Sequence, residues 1–533
     1  MTPGAAEDHS KTVRDTLSRN VTVDIAARIG YLITRFFIPP FVLAHMSLEA
    51  YGLWSTAFIL VSYIGVSTLG VSNVYVKYVA EYAARREYER ANTLVSTGVS
   101  IMLPVCAAVF AVIYTFWPRV VDWLGVKPAL RADAKEVVLI VVAIFLASIA
   151  LSFFRDVLAG VQNTAAVQAV WVICYLLETG LILLLVGQGR GIRGLAEAFL
   201  VRTLLEIVLY GVIALRTLPW LRLSPGRFSK DCLRELFAFG GTVQVLSLLA
   251  IALNSIERAI AVPLVGLEAA GLLDIGKKLP GMAASVPSAF ASSLMPAASY
   301  LKGGLEGKEE EREALRKLYL KGGSYMNLSA AYVCGLLAVI PLPLLDVWLG
   351  RRYPGAAFLM VVFCIATQVH LMTGPGTSIL KGIGRPQEEF YYALPNVMAL
   401  LVTVPASRWL LGRWDAVGIG TAVAAATLLS AVFFLRRANR LLRIPGWEYF
   451  RRVVVPGVAP YLVGLVVAYP ATRLIEGVSR WTGAAYVILT GMVYSALLAV
   501  VVDRFVWEKG ERLWFHAVIR ARLGRLLPAR QAA

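Results

Sequence analysis

Fourteen apolar segments of about twenty residues or more limit the folds open to this chain. A helix of that length crosses the hydrocarbon core of a bilayer, where every backbone polar group has to be hydrogen-bonded within the protein. Only 16% of the 533 residues are charged and 58% are hydrophobic, whereas about a quarter of an average soluble domain is charged. The sequence therefore predicts an all-α, polytopic membrane protein. The predicted spans are 22–44, 50–73, 93–116, 136–158, 166–187, 195–216, 235–258, 269–299, 319–345, 355–380, 390–411, 416–435, 454–472 and 482–503.

Lysine and arginine are distributed unevenly over the loops that connect these spans. Most of them fall on the side that holds the N terminus, so the positive-inside rule predicts that both termini are cytoplasmic. The same bias explains the net charge of +18 without a nucleic-acid partner. The first twenty residues are polar and lack an apolar core, so we expect no cleaved signal peptide.

Two short motifs recur at nearly the same offset. Leu48-Glu49-Ala50-Tyr51-Gly52-Leu53 opens the second span, and Leu267-Glu268-Ala269-Ala270-Gly271-Leu272 opens the eighth, 219 residues later. Leu158-Ala159-Gly160-Val161 follows span four, and Leu380-Lys381-Gly382-Ile383 follows span ten, 222 residues later. These echoes indicate a duplicated six-helix unit. Because six is even, the two lobes are predicted to be parallel, with two extra helices at the C-terminal end.

The repeat and the loop composition together predict the domain boundaries. Pro219, Pro225 and Gly226 mark the connection between the lobes as a linker, and the last stretch resembles a basic amphipathic helix at an anionic leaflet. The predicted parts are a cytoplasmic tail (1–21), an N-lobe (22–217), a linker (218–234), a C-lobe (235–437), two further spans with a preceding basic loop (438–506) and a basic cytoplasmic tail (507–533).

Several cations interrupt the apolar spans, and a charge at membrane depth is by default a functional hypothesis. Arg28 and Arg35 stand seven residues apart and project from one face of the first span. Arg35 and Lys277 have no carboxylate at helical spacing, and the neighbour of Arg258, Glu257, is expected to point elsewhere. We therefore predict an anion site formed by Arg35, Arg258 and Lys277, with Arg28 next to them. Structural pairing within the bundle is the alternative for such charges.

Other polar residues within the spans give weaker predictions. Glu178 has no cation at helical spacing, so it is a candidate carrier of a coupling proton or sodium ion, or a protonated acid bonded within the bundle. His370 is more typical of a hydrogen-bonded core residue. Polar side chains that either contact sugar or bond to neighbouring helices are Asn73, Tyr75, Gln244 and Asn254.

No cofactor, metal or nucleotide site is predicted. The five cysteines lack metal-ligand spacing and four lie in apolar stretches, so neither zinc nor disulfides are expected. A glycine pattern at 189–194 resembles a dinucleotide motif, but it falls in a turn between membrane helices rather than after a strand. Any transport is therefore expected to be secondary rather than ATP-driven.

The arginine-bearing first span, the two motif copies and Leu380-Lys381-Gly382-Ile383-Gly384-Arg385-Pro386 resemble the polysaccharide-transporter branch of the multidrug/oligosaccharidyl-lipid/polysaccharide superfamily. This resemblance implies a Wzx-like flippase in the bacterial inner membrane. Its substrate would be an undecaprenyl-pyrophosphate-linked oligosaccharide, such as an O-antigen, capsule or exopolysaccharide repeat unit. A polysaccharide polymerase could be a further partner.

Two alternatives stay open at this point. One is a peptidoglycan lipid-precursor flippase of the same superfamily. The other, from a different class, is a membrane-embedded glycan polymerase or ligase, which would need catalytic groups on the outer face. The longest predicted outward loop, 117–135, offers few such groups, so we expect a transporter and not an enzyme.

Overall fold

The computed structural model describes residues 30, 34–64, 71–161, 163–304, 308–411, 414–475, 477–507 and 512–513. Over these residues the secondary structure is helical, as expected for a chain that satisfies its backbone in lipid. The long helices are α1 (34–45), α2 (Leu48–Ile64), α3 (Val71–Ala84), α4 (Tyr88–Thr115), α6 (Arg131–Ala150), α8 (Thr164–Gly187), α9 (Gly191–Thr217), α10 (Lys230–Leu264), α11 (Leu267–Ala283), α12 (Ser285–Gly304), α13 (Lys308–Val339), α15 (Pro354–Leu371), α17 (Phe390–Leu411), α18 (Ala416–Leu441), α20 (Ala459–Ile475) and α21 (Arg480–Val501). The short helices are α5 (Trp117–Trp123), α7 (Phe153–Gly160), α14 (Pro341–Leu349), α16 (Gly374–Gly382) and α19 (Gly446–Tyr449).

The described helices confirm a multi-pass membrane protein, but not the number of spans. Among the described residues, nine helical segments are long and apolar enough to cross a membrane, and a bent pair with an 82° angle at Ile340 raises this to ten. These ten match ten of the predicted spans. The remaining four are 22–44, of which 22–29 and 31–33 lie outside the described residues, 50–73, 235–258 and 269–299. The prediction of fourteen spans is therefore not confirmed.

The order of helices recurs along the chain as the sequence repeat predicts. A long helix followed by a short one occurs as α4–α5 and again as α13–α14. A span broken near its end occurs as α6–α7 and again as α15–α16. Each element of the second series follows its counterpart at nearly the offset of the motifs.

Packing divides the chain into two units. The first is drawn from Met1–Asp274 and Val404–Val423, and the second from Ile275–Thr403 and Ala424–Ala533. In the first unit, a core around Leu53, Leu124 and Val138 joins α2 to α5 and α6. In the second, Tyr319 and Phe434 lie in a core between α13 and α18. The predicted lobe boundaries stay a prediction, because this division follows contact density rather than duplication.

The two copies of the repeated motif lie against each other inside the first unit. A Cβ added to Gly52 would be 1.8 Å from the carbonyl oxygen of Leu267, and one added to Gly271 would be 2.9 Å from that of Leu48. Glycine at both positions therefore allows the first turns of α2 and α11 to touch backbone to backbone. This contact positions Asp274, which lies one turn further along α11.

All five cysteines lie in the described residues, and all five are free and buried. The expectation of no disulfide is therefore confirmed.

Candidate functional site: a cluster of charged side chains in the first unit

Arg258 of α10 is bound by a carboxylate that the sequence analysis did not assign to it. Its Nη1 donates to Oδ1 of Asp274, on α11, at 2.7 Å. The other carboxylate oxygen of Asp274, Oδ2, accepts a 2.6 Å hydrogen bond from the Tyr51 hydroxyl on α2. Asp274 therefore bridges two helices that are far apart in the sequence.

The prediction that Arg258 lacks a carboxylate partner is wrong. Besides Asp274, Oε1 of Glu257 lies 3.9 Å from its Nε, and the Glu257 side chain is fully buried. Spacing along one helix could not reveal Asp274, because the pair joins residues 16 positions apart across the α10–α11 turn. The Arg258 side chain is 19% exposed, so the pair is only partly screened by solvent.

Arg35, on α1, lies near the same cluster. Both Arg35 and Arg258 are close enough to the Tyr51 hydroxyl to act on it electrostatically. The Arg35 guanidinium also lies 5.6 Å from the centre of the Tyr175 ring, within cation–π range. The structure thus brings two of the predicted anion ligands, Arg35 and Arg258, into one neighbourhood around Tyr51.

A second group of charges surrounds Tyr175 on α8. The Arg202 guanidinium lies 4.6 Å from the ring centre, and its Nη1 donates at 3.0 Å to Glu206, four residues further along the same helix. Glu178, which is 3% exposed, has an oxygen 3.6 Å from Nε of Arg202. Glu178 therefore has a cationic partner on α9, although none exists on its own helix.

Lys277 and His370 belong to the second unit. The ammonium of Lys277 lies 5.8 Å from the centre of the Phe363 ring and acts electrostatically on His370. Nδ1 of His370 shares a 2.6 Å hydrogen bond with the Tyr392 hydroxyl, so the expected hydrogen-bonded histidine is confirmed. The His370 side chain is exposed rather than buried in a core.

Of the predicted sugar contacts, the structure describes the side chain of Tyr75 alone. Tyr75 is 2% exposed, and its hydroxyl donates to the carbonyl of Val95, so it is a core residue in no position to contact a sugar. Arg28 lies outside the described residues, as do the side chains of Asn73, Gln244 and Asn254.

The sequence reasoning missed Tyr51, Asp274 and Tyr175 as members of the cluster. One signal was present for Tyr51, because the second motif copy carries Ala270 at the equivalent position. A tyrosine hydroxyl at only one of two duplicated positions breaks the symmetry where Asp274 is bound. Nothing in the spacing of the residues could have placed Tyr175 beside Arg35.

Comparison with known proteins defines the class first. The structure is similar to the lipid II flippase MurJ in an inward closed conformation, with a TM-score of 0.66 at 11% identity over 91% of this chain and 99% of that one. It is also similar to an inward-facing multidrug resistance MATE family transporter of the MOP superfamily, with a TM-score of 0.60 at 13% identity over 77% of this chain and 94% of that one. The fold is therefore that of the MOP transporters.

The family follows from the sequence. A model of the family described as polysaccharide biosynthesis protein matches residues 14–302, more than half of the chain, and the chain belongs to that family. The uncharacterized membrane protein EpsK of Bacillus subtilis (strain 168) is 24% identical over 513 residues, which cover 92% of this chain and 96% of that protein. The chain is therefore a member of the polysaccharide biosynthesis protein family with the fold of the flippase and multidrug transporter structures named above.

Proposed function

We propose that this protein flips a polyprenyl-pyrophosphate-linked oligosaccharide across the bacterial cytoplasmic membrane by alternating access. The diphosphate and the sugars enter a polar cavity, while the polyprenyl chain stays in the lipid. Membership of the polysaccharide biosynthesis family supports the glycan part of this substrate. The undecaprenyl carrier and a polymerase that receives the product are further parts of the proposal.

The observation that carries the proposal is the charged cluster of the first unit, in which Asp274 binds both Arg258 and the Tyr51 hydroxyl, and Arg35 acts electrostatically on the same hydroxyl. Two guanidinium groups from helices far apart in the sequence act on one hydroxyl. Arginine binds phosphate oxygens through two parallel N–H groups, so two arginines match the two phosphate groups of a diphosphate. Arg28 and Lys277 stay predicted further ligands.

Asp274 and the diphosphate would compete for Arg258. Without substrate, its carboxylate holds Arg258 at 2.7 Å and neutralises it in a partly buried position. A diphosphate carries more negative charge than one carboxylate, so it competes for Arg258 and leaves Asp274 with the Tyr51 hydroxyl. A ligand that changes the partner of Arg258 also changes what links α10 to α11. Substrate binding can thus favour one conformation of these helices.

Glu178 is the proposed ion-coupling residue, beside Arg202. Protonation or sodium binding at Glu178 would remove one of the two carboxylates that hold Arg202 and leave Glu206 as its partner. Arg202 and Arg35 share the Tyr175 ring, so a change at Glu178 reaches the proposed diphosphate site through a chain of contacts.

The test is a deletion strain complemented with variants. Loss of the protein should leave a polyprenyl-pyrophosphate-linked glycan on the cytoplasmic side and reduce polysaccharide at the cell surface. Arg35→Ala should reproduce this loss while the protein still inserts at normal levels. Normal export by Arg35→Ala would remove Arg35 from the site. Accumulation of the peptidoglycan precursor instead would favour the alternative substrate of the same superfamily.

A further inference from the structure

An open cavity of about 570 Å³ lies in the first unit, and none of its lining residues belongs to the charged cluster described above. It is formed where the α3–α4 turn meets the segment that follows α9. Its volume is within the range of ordinary ligand pockets. The lining residues are Arg86, Glu87, Tyr88, Glu89, Arg90, Trp220 and Arg222.

The wall of this cavity is held in place by buried polar side chains of α4. Asn92, which is 1% exposed, donates through Nδ2 to the carbonyl of Trp220 at 2.7 Å and accepts from the backbone N–H of Arg222 at 2.9 Å. Ser96 accepts a further bond from the backbone of Ser224 at 3.2 Å. Residues 220–224 are therefore held against α4 by these three hydrogen bonds.

The charges around the cavity divide into two groups. Arg90 binds Glu235 at 3.1 Å and lies 4.0 Å from Glu87, and Glu89 binds Arg227 at 2.7 Å, so these arginines and the two lining carboxylates are paired. Arg86 and Arg222 are exposed, and no carboxylate among the described residues forms an ion pair with either. Two guanidinium groups are thus available to a ligand.

The backbone at Arg86 is unusual as well. Its φ is +60°, in the left-handed region that non-glycine residues rarely adopt. Strained positions of this kind cluster at ligand-binding and switch sites. The Tyr88 ring stacks on the Trp220 ring, with centroids 5.1 Å apart, and provides a flat apolar wall beside the arginines.

We propose that this cavity binds a phosphate group, and that the phosphate is supplied by the headgroup of an anionic lipid. Two guanidinium forks match phosphate oxygens. A paired tyrosine and tryptophan at the end of membrane helices is typical of the bilayer interface, and basic pockets between membrane helices on the cytoplasmic side bind lipid headgroups. A soluble phosphate ester offers the same chemistry without the acyl chains, so the experiment separates the two sources.

The experiment measures lipid binding to the purified full-length protein in detergent by native mass spectrometry. Phosphatidylglycerol, phosphatidylcholine and glycerol 1-phosphate are the three probes. Arg86→Gln and Arg222→Gln should each weaken phosphatidylglycerol binding about tenfold, and the double variant more, because each removes a charge-assisted contact. Binding of phosphatidylcholine, which has no net charge, should be weak and unchanged. Arg→Lys variants keep the charge, so their phosphatidylglycerol binding should lie between that of the wild type and that of the Arg→Gln variants. A folding defect would not produce this order.

Arg443 provides a matched control. It is exposed, follows the C-terminal end of α18, and is the other described non-glycine residue with a positive φ, +54°. Arg443→Gln should leave phosphatidylglycerol binding unchanged. Equal losses in Arg443→Gln and in the cavity variants, or no loss in any of them, would overturn the proposal. Binding of glycerol 1-phosphate that is as tight as that of phosphatidylglycerol and is lost in the double variant would overturn the lipid as the source of the phosphate.

Discussion

The pair Arg258–Asp274 allows a structural role to be separated from a substrate-binding role. If Asp274 only neutralises a buried cation, then Arg258→Gln and Asp274→Asn should harm the protein in the same way. If the diphosphate displaces Asp274 from Arg258, the two substitutions should have opposite effects on ligand affinity. The 2.7 Å separation and the low exposure of both side chains make this contrast measurable.

The expected magnitudes follow from the burial of the pair. The side chains are 19% and 12% exposed, and removing one partner of a largely buried ion pair costs about 3–5 kcal/mol. Arg258→Gln and Asp274→Asn together remove both charges of this pair, so part of that stability should return, although the buried Glu257 then loses its 3.9 Å contact with Arg258. A double-mutant cycle on thermal unfolding should give a coupling energy of up to about 3 kcal/mol.

The effects of these substitutions on affinity for the diphosphate should differ from their effects on thermal stability. Arg258→Gln removes a charge-assisted phosphate contact, so we expect affinity for the lipid-linked diphosphate to fall about 10- to 100-fold. Asp274→Asn removes the competitor, so affinity should rise. The double variant should be stable yet export little polysaccharide. The assays are binding of polyprenyl-pyrophosphate glycan to purified protein and surface polysaccharide in the complemented deletion strain.

Normal export by the double variant would show that Arg258 is needed only as the partner of Asp274 and does not bind substrate. The control is the ion pair Arg437–Glu388, at 2.6 Å in the second unit. Replacing both residues of that pair with glutamine should leave export intact. An equal loss there would mean that export is sensitive to any ion pair of this kind.

Three further predictions concern residues outside this ion pair. Gly52→Ala should lower thermal stability and reduce export, because its Cβ would lie 1.8 Å from a backbone oxygen, whereas Gly281→Ala on α11, with no atom within 4 Å of its Cβ, should be harmless in both assays. Arg35→Lys should retain only part of the export activity if bidentate contact with phosphate matters; full activity would show that charge alone suffices. Glu178→Gln mimics the protonated acid, so export in vesicles should lose its dependence on the ion gradient; unchanged dependence would exclude Glu178 as the coupling residue.

The class of the protein could be predicted from the sequence because it depends on features that act locally. Long apolar segments can be satisfied in lipid only as helices, so the all-α membrane fold follows from length and hydropathy. The repeat also persists in the chain as duplicated letters, and Gly52 and Gly271 mark where the two copies touch. The membrane fold depends on residues that are close together in the chain, and the duplication is visible as two similar sequence motifs.

Which charged side chains form ion pairs depends on the tertiary structure. Helical spacing can reveal partners on one helix, such as Glu206 for Arg202, which stand four residues apart. It could not find Asp274 for Arg258, or Arg202 for Glu178, because each pair joins two helices whose rotation is set by packing. The sequence therefore determined that charges are buried in the membrane, while the fold decided which of them are neutralised, since a salt bridge requires a separation of a few ångströms that no spacing between helices encodes.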